Sequence, residues 1–243
     1  MSTKASSALL NAYSETDPEF VQRFGAFAFE QVPHQAPLDS ATQMLTILSA
    51  LLGCQGIAAF RALVPSALEA GLTAVQLKEM IYQATAYLGI GRVLPFLQAA
   101  NDELSACGVT LPLPGQQTTT DETRLADGAQ AQVEIFGEHM RDFYCSGPEE
   151  TRHINRWLAE NCFGDYYTRT GLDYRQRELI TFCFLAAQGG CEPQLEVHIS
   201  AALHVGLSKE KIIETFLQCI PYTGFPKVLN AIFTADKLFQ KLP

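Results

Sequence analysis

The run Gly71-Leu72-Thr73 … Glu79 … Gln83 … Tyr87-Leu88-Gly89 … Val93-Leu94 recurs as Gly206-Leu207-Ser208 … Glu214 … Gln218 … Tyr222-Thr223-Gly224 … Val228-Leu229, each anchor lying 135 positions from its counterpart. A spacing held constant over 24 residues marks a duplicated structural unit. The copies differ where chemistry would sit. The second carries Arg177-Glu178, Cys191 and His198, whereas the first has Gln43-Met44, Gly56 and Leu63. One half is equipped and the other stripped, which predicts one site per chain.

Hydrophobic residues make up 47% of the 243 positions, ample for a packed core. No stretch approaches the roughly 18 to 20 uncharged apolar residues that span a bilayer. Residues 1–7 lead into acidic Glu15 and Asp17 without an apolar signal core, so the expected location is cytoplasmic. A formal charge of −9 and the lack of any Lys/Arg cluster argue against nucleic-acid or anionic-membrane partners, since phosphate affinity comes mainly from clustered positive charge. A small-molecule or protein partner is expected instead. The seven cysteines form an odd set with irregular spacings and no C-x-x-C, which is neither a disulfide framework nor a zinc site. Cys183 and Cys219 lie in apolar segments and read as small hydrophobes.

Period-2 alternation is missing, while apolar residues at i, i+3, i+4 and i+7 recur in most segments, so the fold class is all-α. The first copy predicts helices over 18–33, 41–53, 57–70, 73–88 and 91–106, with Asp39 and Thr73 as N-caps and Gly71 as a helix-ending glycine. The second predicts helices over 128–144, 149–161, 174–189, 193–205, 208–221 and 226–240, with Ser208 as the cap matching Thr73. Residues 110–126, rich in Pro, Thr and Gln, read as a solvated linker between repeats at 1–109 and 127–243. The segment from Glu178 to Gln188 is apolar nearly all round and should be a buried central helix. An ionisable pair at its start is therefore conspicuous.

Pro193 suits the first turn of a helix, which puts Cys191 at or just before a helix N-terminus. Such a position favours an anion and can lower a thiol pKa, making Cys191 the one cysteine with a physical case for reactivity. Gln194 and His198 are i and i+4 neighbours on about the same face as Cys191. The rise between Cys191 and His198 is about 10 Å, so they cannot touch directly. Glu178, on the preceding antiparallel helix, falls near His198 and could orient its imidazole. His204 points to a different face from His198, and His34, His139 and His153 lack ligand spacing, so no metal site is expected. Trp157, Phe163, Tyr166 and Tyr167 read as core or interface packing.

Three stretches carry a resemblance: Leu172-Asp173-Tyr174-Arg175-Gln176-Arg177-Glu178-Leu179; Leu195-Glu196-Val197-His198 running on to Gly206-Leu207-Ser208-Lys209-Glu210; and Tyr222-Thr223-Gly224-Phe225-Pro226 with Asn230-Ala231. Together they resemble the carboxymuconolactone decarboxylase family, within the alkylhydroperoxidase D-like fold. Phe163-Gly164-Asp165, Arg169 and Gly171-Leu172 resemble the segment that precedes the central helix in the decarboxylases. The resemblance is dense over residues 160 to 240 and weaker over 38–100. It implies two tandem all-α repeats forming a pseudo-dimer that assembles through its central helices, and a homo-oligomer in which three chains make a pseudo-hexamer.

The resemblance also implies function, in two directions. Decarboxylase members act without metal or organic cofactor on a lactone bearing a carboxylate. On that reading Arg177 fixes an anionic group of a carboxylated lactone or related small cyclic acid, His198 supplies a proton, Glu178 sets the imidazole tautomer, and Tyr222 and Gln194 contact substrate; the same groups would equally serve proton transfer without decarboxylation. Peroxidase-type members use Cys-x-x-Cys with a following His and an upstream Glu. Cys191, Glu178 and His198 match that pattern, but Gln194 stands at the second cysteine, leaving no local resolving thiol. A non-catalytic binding or scaffold relative is the third reading.

Overall fold

A computed structural model describes Ala5 and residues 8–241, and among them there is no β-strand. The sequence expectation for residues 1–7 thus falls, Ala5 apart, outside the described residues. The first repeat comprises α1 (Pro18–Ala26), a π-helical stretch (Phe27–Gln31) leading into α2 (Val32–Gln35), then α3 (Ser40–Gly53), α4 (Ile57–Glu69), α5 (Ala74–Leu88) and α6 (Ile90–Ala106). The second follows with α7 (Arg124–Phe136), α8 (Arg152–Trp157) continuing as a π-helix (Leu158–Tyr167), α9 (Tyr174–Gln188), α10 (Glu192–His204), α11 (Lys209–Thr223) and α12 (Phe225–Phe239). The starts of α4 and α10, of α5 and α11, and of α6 and α12 keep the offset of 135.

The local chemistry explains the boundaries. Asp39, Thr73 and Ser208 each accept a hydrogen bond from the backbone N–H three residues on, satisfying a donor that the first helical turn leaves free. Asp173 and Gln176 form a reciprocal capping box at the start of α9, as Thr73 and Gln76 do for α5. The helix expected over 128–144 instead starts at Arg124, inside the expected linker, and stops at Phe136. Gly137 follows with φ +106°, a left-handed conformation that ends the helix at low steric cost for glycine alone. The segment expected as 149–161 runs on as a π-helix to Tyr167. Trp157 is 59% exposed, while Phe163 and Tyr167 are buried, so the expected aromatic group is split between surface and core.

Helices α3 and α9, each buried along most of its length, pack against one another at the centre. A Cβ on Gly53 would stand 2.7 Å from Ala187 Cβ and 2.9 Å from the Phe184 carbonyl oxygen, so glycine permits this approach. Helix α5 of the first repeat covers α9, and α11 of the second covers α3, so each repeat completes the other's core. The segment before α7 is not free of the body: Thr119 Oγ1 donates to the Gly164 carbonyl at 2.9 Å, and Thr170 N–H donates to the Gln116 carbonyl at 3.0 Å. Helix α7 lies on the π-helix through two glycines. A Cβ on Gly128 would come 1.9 Å from the Ala159 carbonyl oxygen, and one on Gly164 would come 2.1 Å from that of Arg124.

A buried polar network ties the repeats together. Arg177, at 0% exposure, donates from Nη2 to Glu79 Oε2 at 3.3 Å and to the Arg169 carbonyl at 2.6 Å, and from Nη1 to Gln83 Oε1 at 2.8 Å. Arg169 closes on the same Glu79 carboxylate, with Nε within 3.1 Å of both oxygens and Nη2 at 2.9 Å. The amide of Gln83 also donates to the Arg177 carbonyl at 3.0 Å and to Thr181 Oγ1 at 2.8 Å. Burial pushes the Arg177 pKa down and Glu79 pulls it back up. The counterpart of Glu79, Glu214, is partly exposed and pairs with Lys211 at 2.9 Å on the surface of its own helix.

No helix among the described residues is long and apolar enough to cross a membrane. Two substitutions test this architecture. Glu79→Gln leaves two guanidinium groups without their carboxylate and should cost about 3–5 kcal/mol in chemical denaturation, whereas Glu214→Gln should cost no more than about 1 kcal/mol. Gly164→Ala meets backbone rather than a mobile side chain, and should lower the melting temperature by at least about 3 °C in calorimetry, from an overpacking cost of about 1–3 kcal/mol.

Candidate active site

Gly189 and Gly190, both at positive φ, turn the chain from α9 into α10 and set the two helices side by side. That hairpin brings Glu178 Oε2 to 2.8 Å from His198 Nδ1. The Glu178 side chain is wholly buried and its Oε1 has no hydrogen-bond partner, while His198 keeps 8% exposure. With Nδ1 committed to the carboxylate, Nε2 is the nitrogen left to serve a ligand. The imidazole meets Tyr87 edge-on at 5.4 Å between ring centroids and Phe136 at 5.5 Å.

Tyr87 belongs to α5, so the first repeat contributes directly to the pair's surroundings. Its hydroxyl lies 2.7 Å from that of Tyr167, which lies 2.9 Å from Thr181 Oγ1, and Thr181 donates to the Arg177 carbonyl at 2.8 Å. Cys162 Sγ approaches the Tyr87 hydroxyl at 3.8 Å. Burial, with negative neighbours including Glu178, holds both tyrosine pKa values well above the ordinary range. Burial likewise pushes the Cys162 thiol up to about 12. These groups are proton-bearing and neutral, a hydroxyl chain beside a buried carboxylate. In the sequence Tyr87 is only an anchor of the repeat, and Cys162 only one of seven irregularly spaced cysteines. The 135-residue repeat held a signal, since Tyr87 and Tyr222 occupy equivalent positions, but only the interlocking of the repeats places Tyr87 on His198.

The other expected site residues lie apart from this pair. Arg177 is spent on the inter-repeat network, and its buried Nε has no partner. Cys191 caps α10 as expected from Pro193, but its half-buried thiol bonds to the Leu185 and Gly189 carbonyls and the Gln188 amide, each at 3.5 Å. Gln194 is exposed on α10. Tyr222 stands in the opposite half, lining a cavity of about 160 Å³ with Phe29, Gln43, Met44, Ile47 and Leu63. Its hydroxyl is buried without a partner.

That cavity is the counterpart of the His198 site. The offset of 135 sets Gln43 against Glu178, Leu63 against His198 and Tyr222 against Tyr87, so the pairing of Gln43-Met44 with Arg177-Glu178 shifts by one residue. In the first repeat Gln43 Nε2 donates to Gln218 at 3.0 Å, and Gln218 donates to the Ala36 carbonyl at 2.7 Å. A larger cavity, about 370 Å³, opens between α5, α6 and residues 111–116. Among the described residues no three His, Cys, Asp or Glu side chains converge as a metal site would require.

Comparison with known proteins agrees with the duplication. The pattern of the Carboxymuconolactone decarboxylase family matches twice, over residues 18–102 and 153–237. The 4-carboxymuconolactone decarboxylase of Acinetobacter baylyi is 28% identical over 123 residues, which span 50% of this chain and 91% of that protein. The nitrosuccinic acid decarboxylase of Metarhizium robertsii is 28% identical over 128 residues, 51% of this chain and 89% of that protein. An uncharacterized 15.0 kDa protein of Paracoccus denitrificans is 34% identical over 85 residues, 35% of this chain and 63% of its own length. Two matched regions covering most of one polypeptide establish that this chain belongs to the carboxymuconolactone decarboxylase family.

Proposed function

We propose that the chain is a decarboxylase acting on a small carboxylated acid, with His198 as its proton-transferring group and Glu178 as the residue that positions it. The observation that carries this reading is the 2.8 Å contact between a buried carboxylate and an imidazole that still reaches solvent. The substrates named for the two decarboxylase relatives share a chemistry. Each has a carboxylate whose departure leaves an electron pair conjugated with an acceptor, a lactone carbonyl in one and a nitro group in the other. His198, held through Nδ1 by Glu178, would donate a proton from Nε2 to the developing anion as carbon dioxide leaves. Tyr87 would border the reacting group and keep water from it. Arg177, in this scheme, anchors the helix that carries Glu178 rather than holding substrate. Its substrate would be a small lactone or acid of this kind, and its setting the cytoplasm, which suits seven free cysteines.

Assembly follows from repeated apolar surface. Ile90 and Leu94 at the start of α6, and their equivalents Phe225 and Leu229 with Phe233 on α12, are each at least 44% exposed. Such matched patches on the two halves suit a ring of three fused chains. Sedimentation of the purified protein should give a trimer, and Leu94→Glu with Leu229→Glu should shift it to monomer.

Activity is tested by incubating the chain with 4-carboxymuconolactone and with nitrosuccinate while measuring carbon dioxide release. Turnover of either is expected. His198→Ala should reduce it by about 10² to 10⁴ with helicity unchanged, and Glu178→Gln by a smaller factor. Carbon dioxide release that survives His198→Ala removes the imidazole from the mechanism.

A further inference from the structure

A cavity of about 370 Å³ lies away from His198, and its charges do not balance. Its walls include Val75, Lys78, Glu79 and Tyr82 of α5, Asn101 of α6, and Arg169. Residues 111–116 close one side. Lys78 is only 7% exposed, yet its ammonium has no carboxylate partner among the described residues; it donates to the neutral Asn101 Oδ1 at 2.6 Å. The one carboxylate in the wall, Glu79, is engaged by Arg169 and Arg177 together. Lys78 Nζ and the Arg169 guanidinium carbon each lie 5.4 Å from the centroid of the same Tyr82 ring. Two cations therefore flank one aromatic wall of an open cavity, one of them partly buried and without a carboxylate partner. Burial with no compensating anion pushes the Lys78 pKa down.

An ammonium in a partly buried cavity wall with no counter-charge beside it is disfavoured, and a ligand that brings the missing charge offsets that penalty. We propose that this cavity is a binding site for a small oxyanion, a carboxylate or phosphate, held by Lys78 and Arg169. The oxygens of such an anion accept from the ammonium and the guanidinium, giving charge-assisted hydrogen bonds in a partly desolvated setting. The volume of about 370 Å³ admits a four-carbon dicarboxylate as readily as inorganic phosphate. The site also has a mechanical link to the Glu178 helix, because Glu79 joins Arg169 in the cavity wall to Arg177 at the start of α9. This inference does not depend on the reaction proposed at His198.

Calorimetric titration of the full chain with inorganic phosphate and with succinate, at low ionic strength, tests it. Saturable binding of one anion per chain, weakening as sodium chloride is added, is the expected result. The tighter of the two identifies the phosphate or carboxylate source. Lys78→Met should weaken binding at least about tenfold. Asn101→Asp, which places a carboxylate within the chain beside Lys78 Nζ, should weaken it as much while leaving the fold intact, so it decides the matter if Lys78→Met fails to fold. Absence of saturable binding by both anions up to about 10 mM, a free energy weaker than about −3 kcal/mol, overturns the proposal. So does unchanged affinity in Asn101→Asp.

Discussion

A guanidinium with no exposure to water has to be satisfied by protein, and at Arg177 that requirement sets the relation between the repeats. Its donors reach Glu79 and Gln83 of the first repeat and the Arg169 carbonyl of its own. Glu79 and Gln83 lie on α5, which therefore cannot leave α9 without exposing an unpaired charge to an apolar interior. Such a pair adds little net stability over well-packed hydrophobes, but it sets a high penalty on misalignment. Gln83 strengthens the registration by holding both the side chain and the backbone carbonyl of the same arginine. Apolar burial along α3 and α9 gives the fold its bulk, and this network determines how the halves meet.

The candidate site depends on that arrangement. Tyr87 reaches His198 because α5 lies over α9, and the hydroxyl chain from Tyr87 through Tyr167 to Thr181 runs from one repeat into the other. The acid pair comes from a tight hairpin within the second repeat, while part of its enclosure comes from the first. The half without the pair is therefore structural for its own cavity and contributory for its neighbour's.

Much of this was legible in the sequence. Helical periodicity, the caps at Asp39, Thr73 and Ser208, and the duplication are local or pairwise signals, and they survive because each is satisfied within a few residues or by simple repetition. The proximity of Glu178 to His198 was legible for the same reason, since a short hairpin between two helices leaves few registers. The resemblance assigns Arg177 to a substrate anion, but its donors are taken by Gln83 and Glu79, 94 and 98 positions away, which no local pattern reveals. The same resemblance groups Tyr222 with His198. The interlock sends it instead to the opposite cavity, and it is Tyr87 that stands over the imidazole. The early stop of α7 at Phe136 follows from one left-handed glycine, which a long amphipathic pattern conceals.

Glu79 and Glu214 began as one residue in one ancestral unit, and they now meet different fates: the first is buried between two guanidinium groups and the second rests on a surface lysine. Two identical subunits made from one coding sequence could not hold that difference, because every change would appear in both copies. Joining the units in one polypeptide removes that coupling. Each inherited position becomes two independent loci, so a substitution harmful at one can be neutral at the other, and the halves are free to diverge while still fitting together.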